Sequence, residues 1–215
     1  MKYELNSRFT NFTESWGRQF KIFSWVEYVS AIPQTISAIT TWKANRIPNA
    51  CLQAWTMYSG DADGYYVILS IMNDTHTSKN MLTERDFVVN FPGMDEFPRC
   101  YQTIRNNADE IDEITASGLT VEPSQVVNAP RIKECFLNLE CRLDWHRPSH
   151  DGSYWHLFAG EVIHVGIEGK CAQGGTYGRY GSCGFIYNIH SPIDPATGVQ
   201  DDAMVGTLEP ARKME

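Results

Sequence analysis

The densest cluster of phosphate-compatible donors in the chain is the run Thr75-His76-Thr77-Ser78-Lys79-Asn80. Hydroxyls, an ammonium and a carboxamide stand here in succession, between the apolar run Tyr65–Ile71 and a stretch of good helix formers, MLTERD. A strand-to-helix junction exposes unpaired N–H groups and the positive end of the helix dipole, where anions settle. The same residues suit a plain helix cap with solvated polar side chains, and chemistry alone leans toward that cap. They do not make a P-loop, because the Gly-x4-Gly-Lys spacing is missing.

Other groups are weaker. His146, His150 and His156 cluster around Arg147 and Asp151, but their spacing fits no zinc pattern, so a solvated loop is expected and no metal site. Asp109, Glu110, Asp112 and Glu113 read as the solvated, dipole-matched start of a helix. The Gly-rich stretch with Tyr177, Arg179, Tyr180 and Phe185 either wraps the surface or reaches over a ligand. The chain has 6 cysteines and no CxxC pair. The opening MKYELNSRFTNF lacks the apolar core of a secretory signal. Buried free thiols and a cytoplasmic location are therefore expected, with Cys135 and Cys141 as core thiols on one strand face.

The elements that must position these residues are mostly strands. A short helix is predicted over Phe20–Ser30, ending before Pro33. Thr35–Thr41, Asn49–Met57 and Tyr65–Ile71 read as strands joined by short turns, hence an antiparallel meander, with Tyr65–Ile71 buried on both faces. Helical character follows over the donor run, then a strand at Phe87–Phe91, a helix near ADEIDEITASG, and alternating strands at Phe136–Leu143 and Leu157–Ile167. This pattern predicts a mainly β chain, a closed or nearly closed barrel with a few helices. Its 215 residues are read as one domain, with a tail from about residue 170.

Composition bounds the partners. Hydrophobic residues make up 42% and charged residues 20%, ordinary globular usage that speaks against disorder. A net charge of -8 disfavours nucleic acid and anionic membranes as partners. It leaves room for one small phosphate held by a local nest of donors. No run approaches the roughly 18 apolar residues of a membrane helix.

THTSKNMLTERDFVVNFPG, with PNACLQAWTMYSGD upstream, resembles the flavin reductase-like family, the FMN-binding split barrels that include flavoredoxin. The segments DEITASGLTVEPSQVVNAPRIKE, FLNLECRL and LFAGEVIHVGI continue the likeness, with ECR and GEV intact, over about residues 24–190. The resemblance implies an antiparallel, Greek-key split β-barrel, non-covalent FMN and a homodimer. It implies that Thr75, Thr77, Lys79 and Asn80 hold the FMN phosphate, with His76 and Ser78 at its margin. Asn49, Ala50, Gln53, Ala54, Trp55 and Thr56 would run along the ring and ribityl chain. Ala54 departs from a frequent Ser, and Ser78 from a frequent aromatic. The implied activity is that of an oxidoreductase, in which NAD(P)H passes hydride to flavin N5 and electrons continue to a free flavin or a redox protein. The alternatives are a flavoredoxin-like electron carrier without turnover of its own, and a non-redox module for haem or another planar ligand. No catalytic side chain is implied, since the redox chemistry belongs to the cofactor.

Overall fold

The computed structural model describes residues 2–173 and 178–211. Along the chain lie α1 (Gln19–Ile22), α2 (Trp25–Ser30), β1 (Gln34–Thr35), β2 (Ser37–Trp42), β3 (Pro48–Gln53), β4 (Thr56–Gly60) and β5 (Tyr65–Met72). After these come α3 (His76–Glu84), β6 (Asp86–Phe91), α4 (Phe97–Gln102), α5 (Glu113–Ala116), β7 (Val121–Pro123) and β8 (Pro130–Ile132). The chain continues through β9 (Leu137–Pro148), β10 (Trp155–Ile167), α6 (Gly169–Ala172), β11 (Ile186–Ile189) and β12 (Met204–Thr207).

The chain divides into two compact units. The larger runs from Thr35 to Ile186 with residues 207–215, and the smaller joins residues 1–34 to 187–206. In the smaller unit Phe12, Tyr28 and Ile193 are buried beneath Phe9, Phe20, Phe23 and Trp25. The predicted Phe20–Ser30 helix is two helices, because Ser24 leaves helical geometry and caps α2 through the Val26 N–H.

The larger unit is built on a seven-stranded sheet of order β3-β2-β6-β9-β10-β5-β4, antiparallel at every pairing. Its two edge strands, β3 and β4, are consecutive in sequence and separated only by Ala54 and Trp55. A two-residue link cannot span a flat sheet of this width, at roughly 4.8 Å per strand. The sheet must therefore curl until its edges meet. At the meeting point the Ser70 N–H donates to the Trp55 carbonyl at 3.0 Å, and the Gln53 amide donates to the Ser70 carbonyl. The ladder does not continue from β3 to β4, so the barrel is split along this seam.

This geometry corrects the expected meander. Asn49–Met57 is not one strand but two, and the segment from 37 to 72 forms two hairpins at opposite edges of the sheet. Tyr65–Ile71 is not buried on both faces either. Val67, Leu69 and Ile71 point inward and are buried, while the alternate residues are partly exposed. Its outward apolar residues had been indistinguishable from core. The helix predicted near ADEIDEITASG shrinks to α5, capped by the Asp112 carboxylate and closed at Gly118 with φ +74°.

Inside the barrel, Ile39, Val67, Leu69, Phe87, Val89 and Phe158 form the main core, plugged by Met81 from α3. β10 crosses it with Gly160 directly against the ring of Phe87. A Cβ at Gly160 would lie 2.3 Å from Phe87 Cζ. Since Phe87 is fully buried, Gly160→Ala is expected to destabilise by about 1–3 kcal/mol through overpacking. A urea titration would show a lower midpoint at unchanged slope, and an unchanged midpoint would refute the contact.

Candidate functional site

Helix α3 starts where β5 leaves the sheet. Thr75 caps it: its hydroxyl oxygen accepts from the Ser78 N–H at 3.2 Å and donates to the Met72 carbonyl at 3.0 Å. The Ser78 hydroxyl donates to the Asn73 carbonyl at 3.1 Å, which binds the turn to the first helical residues. The sequence offered a cap or an anion site, and the structure shows the cap in place. The cap leaves two donors at the helix start, because the His76 and Thr77 N–H groups have no partner among the described residues. Lys79 is exposed on the same turn.

The remaining polar side chains of the run face inward. The Asn49 amide donates to Thr77 Oγ1 at 2.9 Å and to Thr41 Oγ1 at 3.1 Å, and the Asn80 amide donates to Thr41 Oγ1 at 2.9 Å. All four residues are buried. This knot ties α3 to β2 and β3, so the two segments named from the sequence, 49–56 and 75–80, meet at Asn49 and Thr77. Thr41 is the residue that sequence reasoning missed. The adjacent Cys51 thiol is pushed up to about 11 by burial, against a hydrogen bond with Thr77, and is neutral at ordinary pH.

A second set of residues missed by sequence reading lies beneath α3. Glu113, expected on a solvated helix start, is 1% exposed. Its Oε2 accepts from the Ala50 N–H at 2.6 Å, and its Oε1 lies 3.0 Å from Lys43 Nζ. Lys43, itself buried, also donates to the carbonyls of Ala108 at 2.7 Å and Ile111 at 2.9 Å. Burial holds the Glu113 carboxyl above its ordinary value, with the Ala50 N–H and Lys43 working against that shift. His76 completes the group, with Nε2 at 2.8 Å from Asp109 Oδ1 and Nδ1 at 3.9 Å from Glu113 Oε1. The only signal in the sequence was an acidic run followed by Ile114, and nothing in it announced Lys43 as the partner.

At the seam, Gln53 turns inward to the Trp55 and Ser70 carbonyls. Ala54 and Trp55 make the link itself, and Thr56 begins β4. The Trp55 ring packs on Trp155 of β10 with centroids 4.4 Å apart. Trp155 pairs across the ladder with Met72, whose carbonyl receives the Thr75 cap. Tyr154 donates its hydroxyl to the Asp74 carboxylate. The β9–β10 connection, which the sequence left open as a loop or a hairpin, is a hairpin and braces the β5–α3 turn.

His146 and His156 lie on strands rather than in a loop, with rings stacked 6.2 Å apart. No group of three or more metal-ligating side chains occurs among the described residues. All six cysteines are unpaired, and Cys135 and Cys141 are buried as expected, although Cys135 precedes β9 and Cys183 is exposed. Tyr177 lies outside the described residues. No helix among the described residues is long and apolar enough to cross a membrane.

Known proteins give this arrangement a class. Residues 29–184 match the flavin reductase like domain, and the chain belongs to that family. A curated relative, an uncharacterized protein of Aquifex aeolicus (strain VF5), is 36% identical over 92 residues, which are 43% of this chain and 45% of that protein. The chain thus spans about half the length of that relative in the match. Among solved structures, nitrilotriacetate monooxygenase component B from Bacillus cereus superposes with a TM-score of 0.76 at 17% identity, covering 99% of this chain and 100% of that one. Flavoredoxin from Methanosarcina acetivorans gives 0.67 at 16% identity, over 94% and 95% of the two chains. At such identities the likeness is one of fold.

Proposed function

We propose that this protein is an FMN-dependent oxidoreductase of the flavin reductase type, drawing electrons from NADH or NADPH and passing them to a free flavin or a redox protein. The observation that carries this reading is the open N-terminal pole of α3, set against the β3 edge and the barrel seam inside the family-matching region. When bound, the flavin supplies the two-electron chemistry, and the protein supplies position and field.

The residues fit a flavin mononucleotide in a specific way. The free N–H groups of His76 and Thr77, together with the Lys79 ammonium, are the groups that receive its phosphate. Thr77 and Asn80 support the site from behind, since their side chains are engaged with Asn49 and Thr41. Segment Asn49–Thr56, with Ala50, Gln53, Ala54 and Trp55, lines the ring side. Ala54 offers no hydroxyl there, so ring contacts fall to backbone groups. The reading includes a homodimer and a cytoplasmic location, the latter supported by six unpaired thiols.

The deciding experiment is purification followed by anaerobic NADH or NADPH. Rapid bleaching of the visible flavin band supports the reductase, and reduction only by a partner protein indicates a carrier instead. A colourless protein that takes up no added FMN would refute both. Lys79→Ala is expected to weaken FMN about tenfold, the loss of one charge-assisted contact, while riboflavin, which has no phosphate, binds as before. Equal loss for both ligands would overturn the phosphate assignment. Asn80 is a poorer test than Lys79 because its removal also breaks the Thr41 contact.

A further inference from the structure

His76 stands between two carboxylates at the head of α3. Its Nε2 meets the Asp109 carboxylate at 2.8 Å, and its Nδ1 faces the Glu113 carboxylate at 3.9 Å. That Nδ1 atom is buried and has no hydrogen-bond partner among the described residues. A neutral ring donating from Nε2 to Asp109 leaves a bare lone pair at Nδ1, turned toward a carboxylate oxygen. An imidazolium donates to Asp109 and turns its second N–H, rather than a lone pair, toward the Glu113 carboxylate.

The charge balance around the helix start points the same way. On β2, Lys43 is engaged with Glu113 of α5, so that pair cancels. On the β5–α3 turn, the Asp74 carboxylate receives the Tyr154 hydroxyl. On β3, burial keeps Cys51 a neutral thiol. Lys79 on α3 is exposed to solvent. Among the described residues Asp109 is the charge that touches the ring outside the Lys43–Glu113 pair, and with neutral His76 it stands uncompensated beside the pole where an anion docks. Protonation of the ring removes that opposition.

We propose that His76 is a positioning residue for phosphate, held between Asp109 and Glu113 so that it takes up a proton when a phosphate monoester dianion docks at the start of α3. The inference rests on the flavin phosphate reading given above. It makes retention of a phosphate-bearing flavin pH-dependent, because imidazoles change charge between roughly pH 5 and 8. Affinity is high on the acid side of that window and falls as pH rises.

The test titrates the full chain with FMN and with riboflavin between about pH 6.5 and 8.5, above the second phosphate pKa of about 6, so the ligand charge stays nearly constant. The FMN dissociation constant is expected to rise by up to about tenfold per pH unit, the limit for one linked proton, while riboflavin stays flat. His76→Gln should bind FMN more weakly at the acid end and lose the slope. Asp109→Asn, which removes the opposing charge without a proton, should bind FMN more tightly than the unaltered protein at the alkaline end and flatten the slope. Calorimetry of the unaltered protein, in buffers of different ionisation heat, should show proton uptake with FMN and none with riboflavin. Parallel slopes in the unaltered protein and His76→Gln, or no proton uptake, would overturn the proposal even where FMN outbinds riboflavin. If FMN never outbinds riboflavin, the phosphate reading itself fails and the proposal falls with it.

Discussion

Glu140→Ala is expected to lower stability by about 3–5 kcal/mol, the cost of leaving a buried arginine without its counter-ion, and to lower Tm by about 10 °C for a chain of this size. Glu140 is fully buried on β9. One carboxylate oxygen accepts from the Gln125 N–H at 2.8 Å and from Arg131 Nε at 2.8 Å. The other accepts from the Val126 and Val127 N–H groups at 2.7 and 3.2 Å. Removing the carboxylate strands the three N–H donors and leaves the guanidinium with the more distant carboxylate of Glu122, 4.0 Å from its Nη1. Burial alone would raise this carboxyl. The N–H groups of Gln125 and Val126, with Arg131, outweigh that effect and hold it below its ordinary value. A depressed folded-state pKa contributes stability above the unfolded-state value, about 4.3 for Glu, and loses it as pH falls through the folded value. The penalty of Glu140→Ala should therefore shrink between neutral pH and about pH 3. Urea unfolding at both pH values measures this, and an equal penalty at both would show that the carboxylate is not the operative group. Arg131→Met combined with Glu140→Leu should recover only the share of the loss due to the unpaired guanidinium, because the Gln125, Val126 and Val127 N–H groups stay without their acceptor.

The Glu140 contacts illustrate what the sequence could and could not reveal. Alternation made β9 and β10 legible, and the intact ECR run contains Glu140 without giving it a role; only tertiary structure reveals that its partners come from a loop fifteen residues upstream. The start of α3 was legible because cap chemistry is local. Its inward-facing half was not: Thr41 lies thirty-nine residues from Asn80, and nothing in either neighbourhood announces a buried amide-to-hydroxyl bond. The strand break at Ala54-Trp55 was hidden because both residues suit a strand, and the interruption arises from barrel closure rather than from a turn signal. Glu113 was misread for a related reason. An acidic residue at a helix start is usually solvated, and the buried lysine that changes its role lies seventy residues away, on β2.

That buried lysine carries the second large expected effect. Lys43→Met should cost about 3–5 kcal/mol, because Glu113 would remain buried without its cation and the Ala108 and Ile111 carbonyls would lose their donor. The pH dependence has the opposite sign to that of Glu140. Burial raises the Glu113 carboxyl, and removing Lys43 raises it further. A carboxyl whose folded-state pKa lies above the unfolded value favours the fold at low pH, and loses that contribution as pH rises through the interval between the two. The variant should therefore be penalised more at about pH 8 than at about pH 5, as urea midpoints would show. Equal penalties at the two pH values would mean that Glu113 is not the group left behind. The functional effect should follow the geometry rather than the stability. Glu113 holds β3 through the Ala50 N–H and sits against His76 at the head of α3, so it keeps β3 and α3, the two segments proposed to line the flavin, aligned. Lys43→Met with Glu113→Leu should regain the share of stability lost to the unpaired carboxylate, though not that of the stranded Ala50 N–H and the Ala108 and Ile111 carbonyls, and should bind FMN at least about tenfold more weakly than the unaltered protein, the equivalent of about 1.4 kcal/mol. If that double variant regained both stability and FMN affinity, the buried pair would be packing alone, and the alignment of β3 with α3 would have to rest on the Asn49–Thr77 bond.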